Sequence, residues 1–353
     1  MSAQPVLIEP LAQHRFDAEA LDRYLTAHVA QYRGPAKIRQ FQGGQSNPTF
    51  LIDVQDARYV LRKKPPGKLL ASAHMIEREY KVQKALAGSA VPVAPMLVLC
   101  EDAAIIGTPF YLMGHVPGRI VPTADLPGME RPERAAVYGS LVATLAHLHL
   151  VDWRVAGLSD FGRPDNYAAR QIDRWTKQYA ATRTDDIPQM EKLATWLASR
   201  VPASTDATIV HGDYRVGNTI LAPQEPRIAA VLDWELATIG DPLADLAYLC
   251  MAYDLPPGGP GVAGGLVGAD FVALGVPRED EVLAAYARAT SRSEVPHWSF
   301  YKALALFRIA AIVQGVYARG LAGNAADSSA IQQGERVRLM AEIGWAIAQR
   351  AKD

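Results

Sequence analysis

The stretch that decides the fold is Ile209 to Asp245, IVHGDYRVGNTILAPQEPRIAAVLDWELATIGDPLAD. It contains two short apolar segments, and each ends in acidic or amide side chains. Asp213 and Asn218 lie in a short loop after the first segment, and Asp233 ends the second, Ile228 to Leu232. Two short strands that each deliver an acid or amide at their end are typical of a site for a metal ion and a phosphate.

The composition limits the classes of protein that need to be considered. The chain has 353 residues, of which 49% are hydrophobic, so it can build a large core in two domains or lobes. A net charge of -1 gives no reason to expect nucleic acid or an anionic membrane as a partner. The start, MSAQPVLIEP, lacks the pattern of a signal peptide, and no apolar run approaches the ~20 residues of a membrane span. We therefore expect a cytoplasmic protein, and the sequence leaves its oligomeric state open.

The two cysteines, Cys100 and Cys250, each lie in apolar sequence without the spacing of metal ligands. This pattern predicts buried free thiols in a reducing compartment.

Periodicity predicts an α+β fold with two lobes. Residues 1–113 are expected to form a small lobe with a leading helix over 16–32, a β-hairpin, and a helix over 72–87 that begins at Ser72. Residues 114–353 are expected to form a larger, mainly helical lobe. Its predicted helices cover 134–150, 167–181, 190–201, a segment that starts at Asp241-Pro242, 279–289, 297–319 and 327–351.

The loop after the first apolar segment has the spacing of a kinase catalytic loop. His211-Gly212-Asp213 followed by Asn218 matches H-R-D-x-x-x-x-N, with Gly212 in the place of Arg. Asp213 is then the catalytic residue that accepts the proton of a hydroxyl group, and Asn218 and Asp233 are the ligands of Mg²⁺. His211 is interpreted as structural support, because Asp213 already fills the role of the base.

The predicted small lobe supplies a cation for the phosphates. Arg62 shares a strand face with Val60, in the position of the Lys in V-A-I-K. Glu79 lies on the apolar stripe of the following helix, where a carboxylate needs a partner, so we expect it to pair with Arg62. Lys63 and Lys64 follow directly, so the position of the clamp is uncertain by one residue.

A glycine-containing turn joins the first two strands of this lobe, where a loop that covers phosphates belongs. Backbone N–H groups in such a turn could hold phosphate oxygens. The predicted nucleotide contacts in this turn are Gly43, Gly44, Ser46 and Asn47.

Taken with Asp233-Trp-Glu and Asp241-Pro-x-x-Asp245, these motifs resemble the aminoglycoside phosphotransferase and choline kinase superfamily, the small-molecule branch of the protein-kinase-like fold. LRKKPPGKLLASAHMIEREY and VLCEDAAIIGTPFYLMGHVPG resemble the kinase-like module that is fused in some proteins to an acyl-CoA dehydrogenase. The resemblance covers about residues 35 to 320.

This resemblance implies a bilobal kinase fold, with a small antiparallel sheet and helix in the N-terminal lobe, that uses ATP and Mg²⁺ to phosphorylate a small-molecule hydroxyl group. It also implies that the crossover after Met113 reads adenine through its backbone, with Met113 and His115 as the candidates, and that Asp245 braces the catalytic loop. The motifs do not determine whether the phosphate donor is ATP or GTP.

The acceptor is the least determined part of the prediction. Residues 254–353 contain ten acids and ten bases, which does not favour a polycationic aminoglycoside. Arg308 and Arg319 are three helical turns apart and could bind an anionic substrate, but the interpretation as two solvated surface charges is favoured. The dehydrogenase-fused relatives imply a hydroxyacyl thioester such as a hydroxyacyl-CoA.

Three alternatives remain open at this point. The first is a nucleotide-binding pseudokinase, which the missing Lys favours and the intact motifs oppose. The second is a kinase for an amino sugar or a choline-like alcohol. The third is a metal-dependent phosphohydrolase, which would need more His and Asp ligands than the opening stretch contains.

Overall fold

A computed structural model of the chain describes residues 6–42, 47–66, 75–203, 206–258, 264–323 and 328–351. The N-terminal lobe is built on a six-stranded antiparallel sheet in the order β1-β2-β3-β4-β6-β5. Its strands are β1 (Leu7–Ile8), β2 (Lys37–Phe41), β3 (Thr49–Val54), β4 (Ala57–Lys63), β5 (Met96–Cys100) and β6 (Phe110–Gly114). The predicted β-hairpin is β3–β4, which pairs from Thr49–Arg62 to Val54–Ala57.

Two helices cover the two faces of this sheet. Helix α1 (Ala18–His28) packs Leu21 and Leu25 against Phe50, Leu61 and neighbouring residues of one face. Helix α2 (Ile76–Leu86) packs on the opposite face, which carries Tyr111. Because side chains alternate along a strand, β4 directs Leu61 towards α1 and Arg62 towards α2.

The C-terminal lobe is mainly helical and encloses the largest core. Its helices are α3 (Arg131–Leu150), α4 (Tyr167–Thr182), α5 (Pro188–Ser199), α6 (Pro242–Cys250), α7 (Phe271–Leu274), α8 (Glu279–Ala289), α9 (Trp298–Leu321) and α10 (Gly334–Arg350). Two antiparallel pairs lie among them: β7 (Thr208–Val210) with β10 (Thr238–Gly240), and β8 (Thr219–Leu221) with β9 (Ile228–Val231). Val82 and Leu86 of α2 also join this core, so α2 contacts both lobes.

Several predicted boundaries are wrong. The leading helix is shorter than 16–32: it begins at Ala18, where Asp17 caps it by accepting from Ala20 N–H, and it ends at His28. Met75, which lies inside the helix expected over 72–87, precedes α2 and is exposed. The expected start at Ser72 lies outside the described residues. The segment expected as one helix over 327–351 is a 3₁₀ turn, Ser328–Gln333, followed by α10.

Helix α9 is, by length and composition alone, apolar enough to cross a membrane, which the sequence analysis did not anticipate. Charged residues, Lys302 and Arg308, interrupt it, so it contains no continuous apolar run of that length. Half of the apolar stretch is buried inside the protein, where α9 contacts α4, α5, α6 and α10.

Cys100 and Cys250 are buried free thiols, as predicted.

Candidate active site

The loop after β7 fixes one carboxylate oxygen of Asp213 by hydrogen bonding and leaves the other buried near Arg215. Asn218 Nδ2 donates to Asp213 Oδ2 at 2.6 Å and to the Asp213 carbonyl at 2.8 Å. Asp213 Oδ1 is buried and accepts no hydrogen bond in the described structure, with Arg215 Nε 3.7 Å away. The Asn218 carbonyl accepts from Leu232 N–H at 2.8 Å, which ties this loop to the strand before Asp233.

Gly212 explains how this loop differs from the kinase pattern. Its φ of +83° lies in the left-handed region, which favours glycine. A Cβ atom at this position would lie 2.7 Å from the Leu236 carbonyl oxygen, which is too close. The segment that follows Asp233 therefore packs directly onto the backbone of the catalytic loop, and a side chain such as Arg has no room.

Asp245 and His211 hold the loop in place. Asp245 is buried and accepts the backbone N–H groups of His211 at 2.5 Å and Gly212 at 2.8 Å. Burial alone would raise the Asp245 pKa, but interactions with His149 and His211 lower it below the ordinary value. His211 Nδ1 accepts from Asp213 N–H at 3.1 Å, and Nε2 donates to the Leu232 carbonyl at 2.8 Å. Both imidazole nitrogens are engaged by the backbone, so the geometry is that of a structural support.

A buried ion pair in the N-terminal lobe faces this loop. Arg62 Nε lies 3.2 Å from Glu79 Oε2, and the Glu79 side chain is 1% exposed. Asn47 Nδ2 donates to Glu79 Oε1 at 2.8 Å, and the Tyr111 hydroxyl donates to Oε2 at 3.0 Å. Burial raises the pKa of Glu79 to about 7, against the opposing effects of Arg62 and Tyr111. Asn47 was predicted as a nucleotide contact, and its side chain is found to support the ion pair.

Strand alternation resolves which cation faces the cleft. Arg62 Nη2 donates to Asp233 Oδ1 at 3.0 Å, across the lobes. Lys63 is buried on the opposite face of β4, with Nζ 5.6 Å from the ring centre of Phe16. Lys64 pairs with Glu77 at 3.0 Å. Of these neighbouring cations, Arg62 is the one beside the candidate metal ligand.

The residues predicted to bind Mg²⁺ form a suitable donor set. Asp233 adopts φ 64° and ψ 59°, and its side chain is 38% exposed. The Asn218 amide nitrogen is held by Asp213, which leaves its oxygen as the donor atom. Across the described ranges no three His, Cys, Asp or Glu side chains cluster to hold a metal. One carboxylate and one amide oxygen are instead the kind of set that Mg²⁺ completes with phosphate and water.

The segment predicted to read adenine lies at the end of β6 and directly after it. Met113 pairs with Val60 of β4 and Met96 of β5. His115 N–H donates to the Arg58 carbonyl at 3.1 Å, so this N–H group is engaged within the protein. The predicted phosphate contacts Gly43, Gly44 and Ser46 lie outside the described residues.

Sequence reasoning missed the contact that joins α2 to the C-terminal lobe. Arg78 Nη2 donates to the Phe161 carbonyl at 2.6 Å and to the Ala237 carbonyl at 3.3 Å. Its guanidinium also stacks 4.2 Å from the ring centre of Phe161. Arg78 precedes Glu79 and so links the helix that carries the ion-pair carboxylate to the segment after Asp233. Its partners are 83 and 159 residues away, and no local pattern marks them.

Arg308 and Arg319 have different surroundings. Arg308 is 6% exposed, and its guanidinium lies 5.5 Å from the Trp175 ring centre and 5.2 Å from that of Tyr248. Arg319 is exposed on the same helix. The interpretation of both arginines as solvated surface charges is therefore wrong for Arg308, since helix packing buries it.

The two-lobed fold, the Asp213–Asn218 loop and the Arg62–Glu79 pair facing Asp233 define the class of protein as a phosphotransferase with a protein-kinase-like fold. The family model described as "Phosphotransferase enzyme family" matches residues 37–304, and the chain belongs to this family. It is accordingly an enzyme that transfers phosphate to a hydroxyl group of a small molecule.

Similar proteins fall into two groups. The chain is 45% identical over 333 residues to acyl-CoA dehydrogenase family member 10 of Mus musculus. The aligned region covers 94% of this chain and 31% of that protein. A crystal structure from Ralstonia eutropha, assigned to the aminoglycoside phosphotransferases, is 44% identical with a TM-score of 0.86 and covers 96% of this chain and 100% of that one. An aminoglycoside phosphotransferase in a ternary complex with AMP-PNP and hygromycin B shares the fold, at 17% identity and a TM-score of 0.59 over 94% of this chain and all of that one.

The chain spans less than half the length of the acyl-CoA dehydrogenase relatives that it matches. The similarity therefore concerns one part of those proteins.

Proposed function

We propose that this phosphotransferase is an ATP- and Mg²⁺-dependent cytoplasmic kinase that phosphorylates the hydroxyl group of a hydroxyacyl thioester, such as a hydroxyacyl-CoA. The observation that carries the kinase chemistry is the Asp213 carboxylate. Asn218 fixes Oδ2, and Oδ1 is buried without a hydrogen-bond partner in the described structure. A hydroxyl group at Oδ1 would be oriented for attack and would give its proton to Asp213.

Positioning accounts for most of the catalysis expected of such a site. Phosphoryl transfer passes through a loose transition state, so the protein has to align the attacking oxygen and stabilise charge on the phosphoryl group. Asp245 and His211 fix the backbone on both sides of Gly212, which fixes the direction of the Asp213 side chain. Asp213 can then hold the acceptor hydroxyl without rearranging its loop.

Asp233 and Asn218 would hold Mg²⁺, and Arg62 would contact the phosphates beside it. When bound, Mg²⁺ neutralises the charge that develops on the phosphate oxygens. Arg62 is held between Glu79 and Asp233 at 3.2 and 3.0 Å, so the guanidinium is already oriented towards the metal ligand. Arg binds phosphate through a planar fork of donors, which suits this role.

Two similarities support the choice of nucleotide and acceptor. The aminoglycoside phosphotransferase with the same fold was solved with AMP-PNP, which supports ATP as the donor. The similarity to one part of acyl-CoA dehydrogenase family member 10 supports an acyl thioester as the acceptor, because a kinase joined to such a dehydrogenase would act on related molecules.

The test is coupled ADP release with hydroxylated acyl-CoAs, choline, sugars and aminoglycosides, each assayed with the wild-type protein and with Asp213→Asn. The proposal expects turnover with a hydroxyacyl-CoA and its loss in the variant. Turnover only on an amino sugar would refute the acceptor. Nucleotide binding without turnover on any of these would favour a pseudokinase.

A further inference from the structure

His149 is a buried histidine in the last turn of α3, separated from the catalytic loop by Asp245. Its side chain is 2% exposed and lies between Asp245 of α6 and Tyr286 of α8. Nδ1 is 2.7 Å from the Tyr286 hydroxyl oxygen, and Nε2 is 3.5 Å from Asp245 Oδ2. The imidazole therefore connects a hydroxyl group on one helix with a carboxylate on another.

Asp245 is the residue through which His149 reaches the catalytic loop. Its carboxylate accepts the N–H groups of His211 and Gly212, the two residues before Asp213. A rotation of this carboxylate would therefore move the backbone that directs the Asp213 side chain. In the part of the chain that the structure describes, no lysine or arginine forms an ion pair with Asp245. His149 is the basic side chain that is placed to restrain it.

The charge of Asp245 decides which nitrogen of a neutral His149 carries the proton. A neutral imidazole has an N–H group on one nitrogen and a lone pair on the other. A lone pair on Nε2 would face the negative Oδ2 atom inside the protein, where repulsion is poorly screened. A proton on Nε2 instead directs an N–H group towards Oδ2, and at 3.5 Å, longer than a hydrogen bond, the contact acts through charge. The Nε2–H tautomer is therefore favoured.

Tyr286 completes this arrangement at the other end of the ring. With the proton on Nε2, Nδ1 is an acceptor, and the Tyr286 hydroxyl is placed to donate to it. A half turn of the imidazole about its Cβ–Cγ bond would put carbon atoms in the place of both nitrogens, and this buried hydrogen bond would be lost. The bond to Tyr286 thus fixes the orientation in which Nε2 faces Asp245.

The Tyr286 hydroxyl is available as a donor because it stays neutral. The residue is fully buried, and burial raises the pKa of the hydroxyl. Arg292, which pairs with Asp206 at 2.8 Å, opposes this rise. The carboxylates of Asp245 and Asp241 add to it. The hydroxyl proton that Nδ1 accepts is therefore kept.

We propose that His149 is a positioning residue for the catalytic loop: the Tyr286 hydroxyl orients its imidazole, and the Nε2–H group restrains the Asp245 carboxylate. Helix α8 is thereby connected to the two N–H groups that direct Asp213. The catalytic consequence rests on the proposed kinase function, in which Asp213 receives the proton of the acceptor. The restraint of the loop does not depend on that function, so the two are tested separately.

The first experiment identifies the tautomer in the wild-type protein. Long-range proton–nitrogen NMR spectra of protein that contains isotope-labelled histidine distinguish Nε2–H from Nδ1–H. The His149 signal is the one that is lost in His149→Gln. The expected result is a neutral imidazole with its proton on Nε2, and a proton on Nδ1 would overturn the inference.

The second experiment measures how firmly the loop is held. Hydrogen exchange followed by mass spectrometry compares the amides of residues 209–215 in the wild type and in His149→Phe, which keeps a ring but removes both nitrogens. Exchange in this segment should become about tenfold faster, the size expected when a contact with a charged group is lost. His149→Gln should recover part of the protection, because its amide can donate to Asp245. Tyr286→Phe should also speed exchange, because the imidazole loses its anchor.

Tyr138→Phe is the matched control for Tyr286→Phe. Tyr138 is a buried tyrosine on the same helix as His149, and its hydroxyl donates to the Ala124 carbonyl at 2.8 Å. The substitution removes a comparable hydrogen bond that does not involve Asp245, so exchange in residues 209–215 should stay unchanged. If His149→Phe does not fold, the wild-type tautomer and Tyr286→Phe, which removes a single oxygen atom, carry the test.

The third measurement is coupled ADP release with a hydroxyacyl-CoA. In His149→Phe, kcat should fall by about tenfold or more, because a small misplacement of a catalytic group is costly, while the KM for Mg-ATP stays unchanged. Equal exchange in residues 209–215 for the wild type and His149→Phe, or no recovery in His149→Gln, would overturn the inference.

These outcomes differ from failure of the kinase proposal. Faster loop exchange in His149→Phe, without ADP release by the wild type on any acceptor, would refute the kinase and keep the restraint of the loop by His149. ADP release that is equal in the wild type and in His149→Phe would keep the kinase and refute the positioning role.

Discussion

Replacing Asp245 with Asn tests how the catalytic loop is held. The carboxylate is buried and accepts two backbone N–H groups, from His211 and Gly212. An asparagine offers one oxygen, so one of the two N–H groups would face another donor. Loss of a charge-assisted bond together with one orphaned buried N–H group should lower the free energy of unfolding by about 2–4 kcal/mol. Urea unfolding followed by tryptophan fluorescence measures the difference.

Asp152→Asn provides a matched control for this substitution. Asp152 also accepts two backbone N–H groups, from Arg154 at 2.9 Å and Val155 at 3.2 Å, but it is exposed. Water can replace these bonds, so its cost should stay within about 0.5 kcal/mol. Equal costs for Asp152→Asn and Asp245→Asn would refute the reasoning that burial and charge make Asp245 a brace.

The effect of Asp245→Asn should also depend on pH. The folded-state pKa of Asp245 lies below its unfolded value of 3.8. Its ionised form therefore stabilises the fold above that value, and the contribution is lost as the pH falls through the folded-state pKa. The difference between wild type and Asp245→Asn should be greatest at neutral pH and should shrink in acid. A difference that grows in acid would contradict this assignment.

Three further substitutions test the contacts around the cleft. Arg62→Met should lower the free energy of unfolding by about 3–5 kcal/mol at pH 8, because it leaves the buried Glu79 unpaired; the cost should fall at pH 5, since Glu79 has a pKa of about 7 and is then protonated. Arg78→Met should raise the KM for Mg-ATP several-fold in steady-state assays, because α2 loses its bonds to the C-terminal lobe. Gly212→Ala should lower the free energy of unfolding by about 1–3 kcal/mol in urea, because of its positive φ and the contact with Leu236.

Each of these has an internal control. Glu79→Gln in the Arg62→Met background should recover stability at pH 8, and no recovery would show that the pair is not the source of the loss. Lys84→Met removes an exposed cation from the same helix as Arg78 and should leave the KM unchanged. Gly139→Ala, at a helical glycine with open space around it, should stabilise the protein slightly. A neutral Gly212→Ala would contradict the close packing of the loop.

The parts of the site that follow local rules could be predicted from sequence. Asp213 and Asn218 lie in one short loop, so their spacing in the sequence indicates that the two side chains are close together. Strand alternation placed Arg62 on one face of β4, and helical periodicity placed Glu79 on the buried side of α2. The ion pair observed between Arg62 and Glu79 follows from the strand alternation and the helical periodicity together.

The remaining features depend on packing between distant segments. Arg78 reaches carbonyl groups in two loops of the other lobe, and its own helix gives no sign of them. The burial of Arg308 depends on how α4 and α6 cross α9. The residue at which a helix starts, as at Met75, depends on capping and neighbouring contacts that periodicity does not contain.

The most direct test of the kinase account is transfer of the γ-phosphoryl group to a hydroxyacyl-CoA by wild-type protein and by Asp213→Asn, with Mg-ATP affinity measured on both. The account predicts unchanged Mg-ATP affinity and a turnover that falls by roughly 10²-fold or more, the size of general-base effects. Equal turnover in the two proteins would contradict it, because Asp213 would then have no part in the chemistry.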